Sequence, residues 1–200
     1  MRQIDTRAGL IRRLLPSDFE RFRDHLLRLD AKTRRDRFSA AVSDSFLETY
    51  AARGFAADSG AVIFGHVAEG AVHGVAELCQ FPVPDRHEAE AAFTVEPVYR
   101  RRGIGTGLFR RALLAARNRG VATLHVRCLP ENRAMQSLAR RHGARLLFDV
   151  DETLGKVEAC PATPFSVLKE FMETGFGAAV TIMRAAAAGS LDGGARAAPP

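Results

Sequence analysis

The chain has no tryptophan, two tyrosines and three cysteines, and the scarcities narrow what it can be. Cys79, Cys128 and Cys160 form no CxxC pair and are odd in number, so neither a disulfide framework nor a zinc site is indicated. They read as small buried hydrophobes. The six histidines make no HExxH and no other compact ligand spacing, and no metal is expected. No run of eighteen uncharged apolar residues occurs, and Arg2, Asp5 and Arg7 stand where a secretory signal needs its apolar stretch. A soluble cytoplasmic protein without membrane association is expected. Lysine is nearly missing too: all but Lys32, Lys156 and Lys169 of the 29 basic residues are arginine. The net charge of +6 could suit nucleic acid, but these arginines are spread over most of the chain beside abundant alanine, which reads as codon bias.

What is present is 200 residues at 46% hydrophobic and 26% charged, the make-up of one globular domain with an appendage. Leu10 to Leu14 reads as a short strand broken by Pro16. Ser17 with Glu20 is a capping-box signature, and Phe19, Phe22, Leu26 and Leu29 recur at helical spacing, so a helix is expected from Asp18 to Leu29. After a basic connector, Lys32 to Arg37, Ser45 with Glu48 repeats the box before a second short helix. Ala61 to Ala68 and Ala71 to Phe81, joined at Glu69-Gly70, read as a hairpin ended by Pro82 and Pro84, and Glu88 to Val95 as the next strand. Then come a glycine loop, a helix from Ile104 to Asn118, a strand from Ala122 to Cys128, a helix from Arg133 to His142, and strands at Arg145 to Val150 and near Lys156 to Ala159. The grouping predicts an α/β fold with a mixed, mostly antiparallel central sheet flanked by helices. Past Pro161, Phe165, Leu168, Phe171, Met172, Phe176, Val180 and Met183 mark an amphipathic helix over 161–188, suited to cover the core or a subunit partner in a homodimer. Gly189 to Pro200 has little to bury and is expected to be disordered.

The segment that carries chemistry runs from Val95 through Arg100-Arg101-Arg102-Gly103-Ile104-Gly105-Thr106 into an amphipathic helix. Glycines let a ligand approach the backbone, and the first amides of a helix lack internal partners. With the helix dipole's roughly half positive charge they suit a pyrophosphate. A Walker A loop needs a lysine that is absent here. A dinucleotide fingerprint needs its third glycine one place later, and a kinase loop needs HRD and DFG segments that do not follow.

What remains, RxxGxG from Arg100 to Gly105, resembles the Gln/Arg-x-x-Gly-x-Gly/Ala motif of the GNAT superfamily, which builds its acetyl-CoA site between a fourth strand and a third helix. The surroundings resemble it as well: the strand ending at Val95, the next strand with Leu124-His125-Val126, the second motif from Asn132 to Ala144, and the opening Ile11 to Asp18. The resemblance spans residues 7–160. It implies two splayed strands with the pantetheine arm between them and the amides of Arg102, Gly103, Ile104, Gly105 and Thr106 on the pyrophosphate. It further implies the amide of Val95 on the thioester carbonyl, Arg100, Arg101 and Arg102 beside the phosphates, and Asn132 on the cofactor arm. Asn132 also suits an N-cap for the helix it precedes.

Acyl transfer needs a neutral amine, and holding a lysine-like amine deprotonated at pH 7 costs about 4 to 5 kcal/mol. Strand alternation puts Glu88, Glu90, Ala92 and Thr94 on one face. Ala89 to Val95 resembles the strand of the protein-lysine acetyltransferase branch whose glutamate is the base, and Arg34 to Phe38 resembles a segment of the same branch. Glu90 is therefore the candidate base, with Glu88 and Glu77 next. Many members place a general-acid tyrosine where this chain has Ala139, and neither Tyr50 nor Tyr99 is in register. The expected partners are acetyl-CoA and a primary amine, of a small molecule or a protein lysine. The alternative is a module that senses acyl-CoA without turnover.

Overall fold

The computed structural model describes residues 9–83 and 86–173, and side chains outside 82–86 among them. The elements run β1 (Leu10–Arg13), α1 (Phe19–Leu27), α2 (Ala31–Phe38), α3 (Asp44–Gly54), β2 (Val62–Ala68), β3 (Ala71–Val83) and β4 (Arg86–Val95). After the Pro97–Tyr99 turn follow α4 (Ile104–Asn118), β5 (Thr123–Cys128), α5 (Arg133–Arg141), β6 (Arg145–Phe148) and β7 (Thr153–Glu158). A last helix, α6, occupies 164–173.

The strands form one sheet in the order β1-β2-β3-β4-β5-β7-β6. Every neighbouring pair is antiparallel except β4 and β5. Alternation divides the side chains between two cores. Phe64, Ala76, Leu78, Ala89 and Ala91 pack with Leu108, Phe109, Ala112 and Ala116 of α4. Ile63, Val72 and Val75 pack on the other face with Phe22 and Leu26 of α1 and Leu47 and Ala51 of α3. Phe22 and Leu26 are fully buried, each stabilising the fold by roughly 2 to 3 kcal/mol.

Several local expectations change. The Ser17–Glu20 box does not form. Asp18 faces inward instead, accepting from Arg12 Nη1 and Nη2 at 2.7 Å each and from the Leu15 amide at 3.0 Å. Burial alone would raise its carboxyl, but these partners hold it below the ordinary range. The Lys32 to Arg37 connector is helix α2, capped by Asp30, whose carboxylate accepts from the Thr33 amide. Arg34 fastens it by donating to the carbonyls of Leu29 and Leu27. Ser43, not Ser45, caps α3. β3 continues through Pro82 to Val83, and β7 starts at Thr153 and lies between β5 and β6.

Of the segment over 161–188, residues 164–173 are helical, and their apolar side is not the one facing the domain. α6 rests on α4 through Ser166, Glu170 and Glu173, which engage Asn118, Arg119 and Arg111. Phe165, Leu168, Phe171 and Met172 are exposed. Phe176, Val180, Met183 and the tail from Gly189 lie outside the described residues.

Candidate functional site

β4 and β5 are in register only from Glu88 to Glu90 and Thr123 to His125. Beyond those three pairs β4 runs on to Val95 and β5 to Cys128 without pairing each other, so a wedge opens between them. The Glu96 amide donates to His73 on the β3 side at 3.0 Å. By alternation the amide and carbonyl of Val95 point the other way, into the wedge.

The loop that follows spends two amides on itself: Tyr99 donates to Glu96 and Arg100 to Pro97. From Arg101 to Thr106 no amide has a backbone acceptor among the described residues, and internal bonding resumes with Gly107 to Gly103. No side chain caps the helix. Arg101 and Gly103 are both left-handed, with φ of 63° and 80°, a backbone that turns successive amides toward a common concavity. A Cβ on Gly103 would meet nothing within 4 Å, so conformation rather than crowding selects glycine there. Gly107 has a different reason: a Cβ would lie 2.4 Å from Ile11 Cδ1 of β1. This packing role leaves no trace in the spacing.

The three arginines part company. The Arg100 side chain turns back, donating to the Val95 carbonyl at 3.0 Å and to Thr33 Oγ1 at 2.6 Å. Arg101 and Arg102 are exposed. The Arg102 guanidinium sits 5.4 Å above the Tyr99 ring, and Tyr99 stacks on His73 at 3.9 Å between centroids.

Beneath the loop lies a buried network that sequence reasoning missed. Glu96 accepts from His25 Nδ1 at 3.0 Å, from His73 Nδ1 at 3.1 Å and from Arg28 at 2.9 Å. Burial lowers the pKa of His25 and favours its neutral form, with Nδ1–H on the carboxylate and Nε2 accepting from the Thr94 hydroxyl at 2.8 Å. Burial alone would raise the Glu96 carboxyl, but the hydrogen bonds from His25, His73 and Arg28 pull it down from 4.5 to about 2. A depressed carboxyl stabilises the fold fully above its unfolded value and loses that contribution as pH falls through the folded one, here between 4.5 and about 2. Glu96→Gln is expected to cost about 3 kcal/mol at pH 7 and to flatten the acid limb. Urea titrations at pH 7 and pH 3 check this, and equal losses at both would remove the carboxylate from the account.

On the sheet face turned toward α2, Glu90 lies at the vertex of the wedge. Its carboxylate is partly exposed and pairs with Arg127 Nε of β5 at 3.1 Å. The other carboxylates considered are engaged more firmly. Glu77 is buried and accepts from Arg37 and from the Tyr50 hydroxyl, and Glu88 holds His125 Nε2 at 2.7 Å. Burial and then Glu77 push the Tyr50 hydroxyl far above its ordinary value. Ala139 is buried against Gly155 of β7. The Oδ1 of Asn132 accepts from the Met135 amide at 3.0 Å, so the N-cap reading holds. A separate hollow of about 380 Å³, lined by Leu14, Phe55, Ile63 and Arg119 among others, includes no residue of the loop or the wedge. Among the described residues no group of histidine, cysteine or carboxylate side chains could hold a metal ion. No described helix is long and apolar enough to cross a membrane.

The sheet thus splays at its one parallel pair beside a helix N-terminus whose first amides have no backbone acceptor among the described residues. The acetyltransferase (GNAT) family model matches residues 23–144, and the chain belongs to that family. No curated protein matches. The GNAT domain of S. lividans PAT superposes at TM-score 0.65 and 18% identity, over 79% of this chain and 99% of that one. The yncA acetyltransferase of Salmonella typhimurium, solved with its cofactor acetyl-CoA, superposes at 0.57 and 20%, over 78% and 96%. A cAMP-binding acyltransferase from Mycobacterium smegmatis superposes at 0.52 and 25%, over 82% of this chain and 48% of that one.

Proposed function

We propose that the protein transfers an acetyl group from acetyl-CoA to a primary amine by direct attack, with Glu90 as general base. One observation carries the reading: the wedge joins the free amides from Arg101 to Thr106, the Val95 amide and a partly exposed carboxylate at its vertex. The amides of Arg102 to Thr106 and the side chains of Arg101 and Arg102 hold the pyrophosphate. Arg100 serves from behind, fixing Val95 to α2. The Val95 amide polarises the thioester carbonyl, and Asn132 borders the pantetheine arm while capping α5.

In the reaction the ammonium gives one proton to Glu90 and its freed lone pair attacks the carbonyl carbon. The C–N bond forms, the C–S bond breaks with its electron pair leaving on sulfur, and the second amine proton passes to the thiolate through water. A thiolate is a modest base, so water suffices where Ala139 replaces the family's tyrosine. Cys79, paired across the strands with Glu90, is exposed rather than buried, as is Cys160, and only Cys128 fits the buried reading. Desolvation of the Cys79 sulfur and then Glu77 raise its thiol pKa, which disfavours the thiolate that a covalent route needs. The family match and the Mycobacterium smegmatis acyltransferase support the transfer. The likeness of Ala89 to Val95 to the protein-lysine branch favours a lysine-type acceptor.

The alternative of an acyl-CoA sensor draws on Ala139. Incubation with acetyl-CoA and a panel of amines and lysine peptides, reading released thiol, separates the two. Turnover on at least one amine is the expected result, and binding of acetyl-CoA with no thiol released on any would leave the sensor.

A further inference from the structure

Building on the assignment of Glu90 as base, we infer that Arg127 is a displaceable counter-ion holding the place of the acceptor's ammonium. We infer further that the acceptor is a primary amine with no carboxylate beside its nitrogen. Glu77, Glu88 and Glu90 stand on β3 and β4 beside the vertex of the wedge, and Glu152 joins them through Arg127. Glu77 is tied down by Arg37 and Tyr50, and Glu88 by the buried His125. Glu90 and Glu152 remain, with side chains 37% and 41% exposed, and both converge on one guanidinium, at 3.1 and 3.4 Å.

That guanidinium is suited to leave. The Arg127 side chain is 51% exposed and makes no other hydrogen bond or ion pair among the described residues. It stands two residues beyond His125, the last residue of β5 in register with β4, and therefore reaches back across the opening. Ion pairs this exposed are weak. An alkylammonium has three donors for the two carboxylates and replaces the guanidinium without changing the local charge. It then lies against Glu90, which takes the proton in the proposed transfer. An acceptor carrying its own carboxylate next to the amine would bring a third anion against Glu90 and Glu152, so such amines are disfavoured.

The test uses the full chain with acetyl-CoA and four acceptors: n-butylamine, an N-acetylated lysine amide, glycine and β-alanine. Wild type is expected to prefer the first two. Arg127→Ala and Arg127→Gln are each expected to lower the KM for n-butylamine about three- to tenfold, leaving the KM for acetyl-CoA in place. A merely structural arginine would not improve the amine KM when removed. An unchanged or higher amine KM in both variants overturns the inference. So does a wild-type preference for glycine or β-alanine, because Arg127 would then be their carboxylate anchor. Glu90→Gln in parallel separates the two readings. If it is slow while the Arg127 variants leave the amine KM alone, only the counter-ion falls; if it turns over like wild type, or no amine is acetylated at all, the base assignment falls and the counter-ion with it.

Discussion

Glu90→Gln is expected to lower the acetylation rate about 100-fold or more at pH 7 while leaving acetyl-CoA affinity nearly intact. Glutamine keeps the shape of the side chain and its reach toward Arg127 but cannot accept the amine's proton. The loop proposed to hold the pyrophosphate and the Val95 amide lie elsewhere along the wedge, so binding of the acyl donor should not notice the change. Because the lost function is proton removal, the deficit should shrink as pH rises and free amine becomes abundant. Steady-state rates from pH 7 to pH 10, with acetyl-CoA binding measured by calorimetry, decide the matter. A folded variant with wild-type turnover would pass the role to Glu88, whose carboxylate is already held by His125.

Gly103→Glu should weaken acetyl-CoA binding by about 100-fold or more, since a unit charge placed a few ångströms from a pyrophosphate costs several kcal/mol even at an effective dielectric of about 20. The fold should survive, because a Cβ at this position meets no atom within 4 Å. Some of the loss will come from the φ of 80°, which any side chain resists. Gly103→Ala isolates that part and should cost about tenfold at most. Calorimetry on both variants, with thermal melts as the control for folding, checks the assignment. Unchanged affinity in a folded Gly103→Glu protein would falsify it.

The parts of the molecule written in local pattern were legible. Helix α4 was readable to its ends because Gly103 precedes a regular apolar stripe, and the β2–β3 hairpin because Glu69-Gly70 interrupts two strand-like runs. The splay of β4 and β5 followed from the motif that resembles the GNAT pattern. α2 was misread because Lys32 to Arg37 carries no apolar stripe. Its stability comes from an Asp30 cap and from side chains reaching distant partners, among them Arg37 to the buried Glu77. Glu96 was invisible for the same reason, since His25, Arg28 and His73 are remote in sequence and only the closed sheet assembles them. Ser17 and Ser45 fit their cap pattern as well as the residues actually used. Asp18 is taken by Arg12, and Ser43 begins the turn two residues sooner.

The two faces of the wedge are fastened by different forces. Behind it, Phe93 of β4, Phe109 of α4 and His142 at the end of α5 form a column of parallel rings, with centroids 5.0 and 4.3 Å apart, a spine buried at Phe109 and half-buried at its two ends that joins both halves of the sheet. In front, apart from the buried Glu88–His125 pair, the side chains joining the halves are water-exposed charges, Arg127 to Glu90 and Arg35 of α2 to Glu131 in the β5–α5 loop at 3.6 Å. Raising salt to about 1 M shortens the screening length to about 3 Å and relaxes the front alone, while an excluded salt such as sulfate tightens the spine. The protein is built like a book whose binding is not loosened by salt and whose clasp is ionic, so ionic strength should set how freely the pages part without opening the cover.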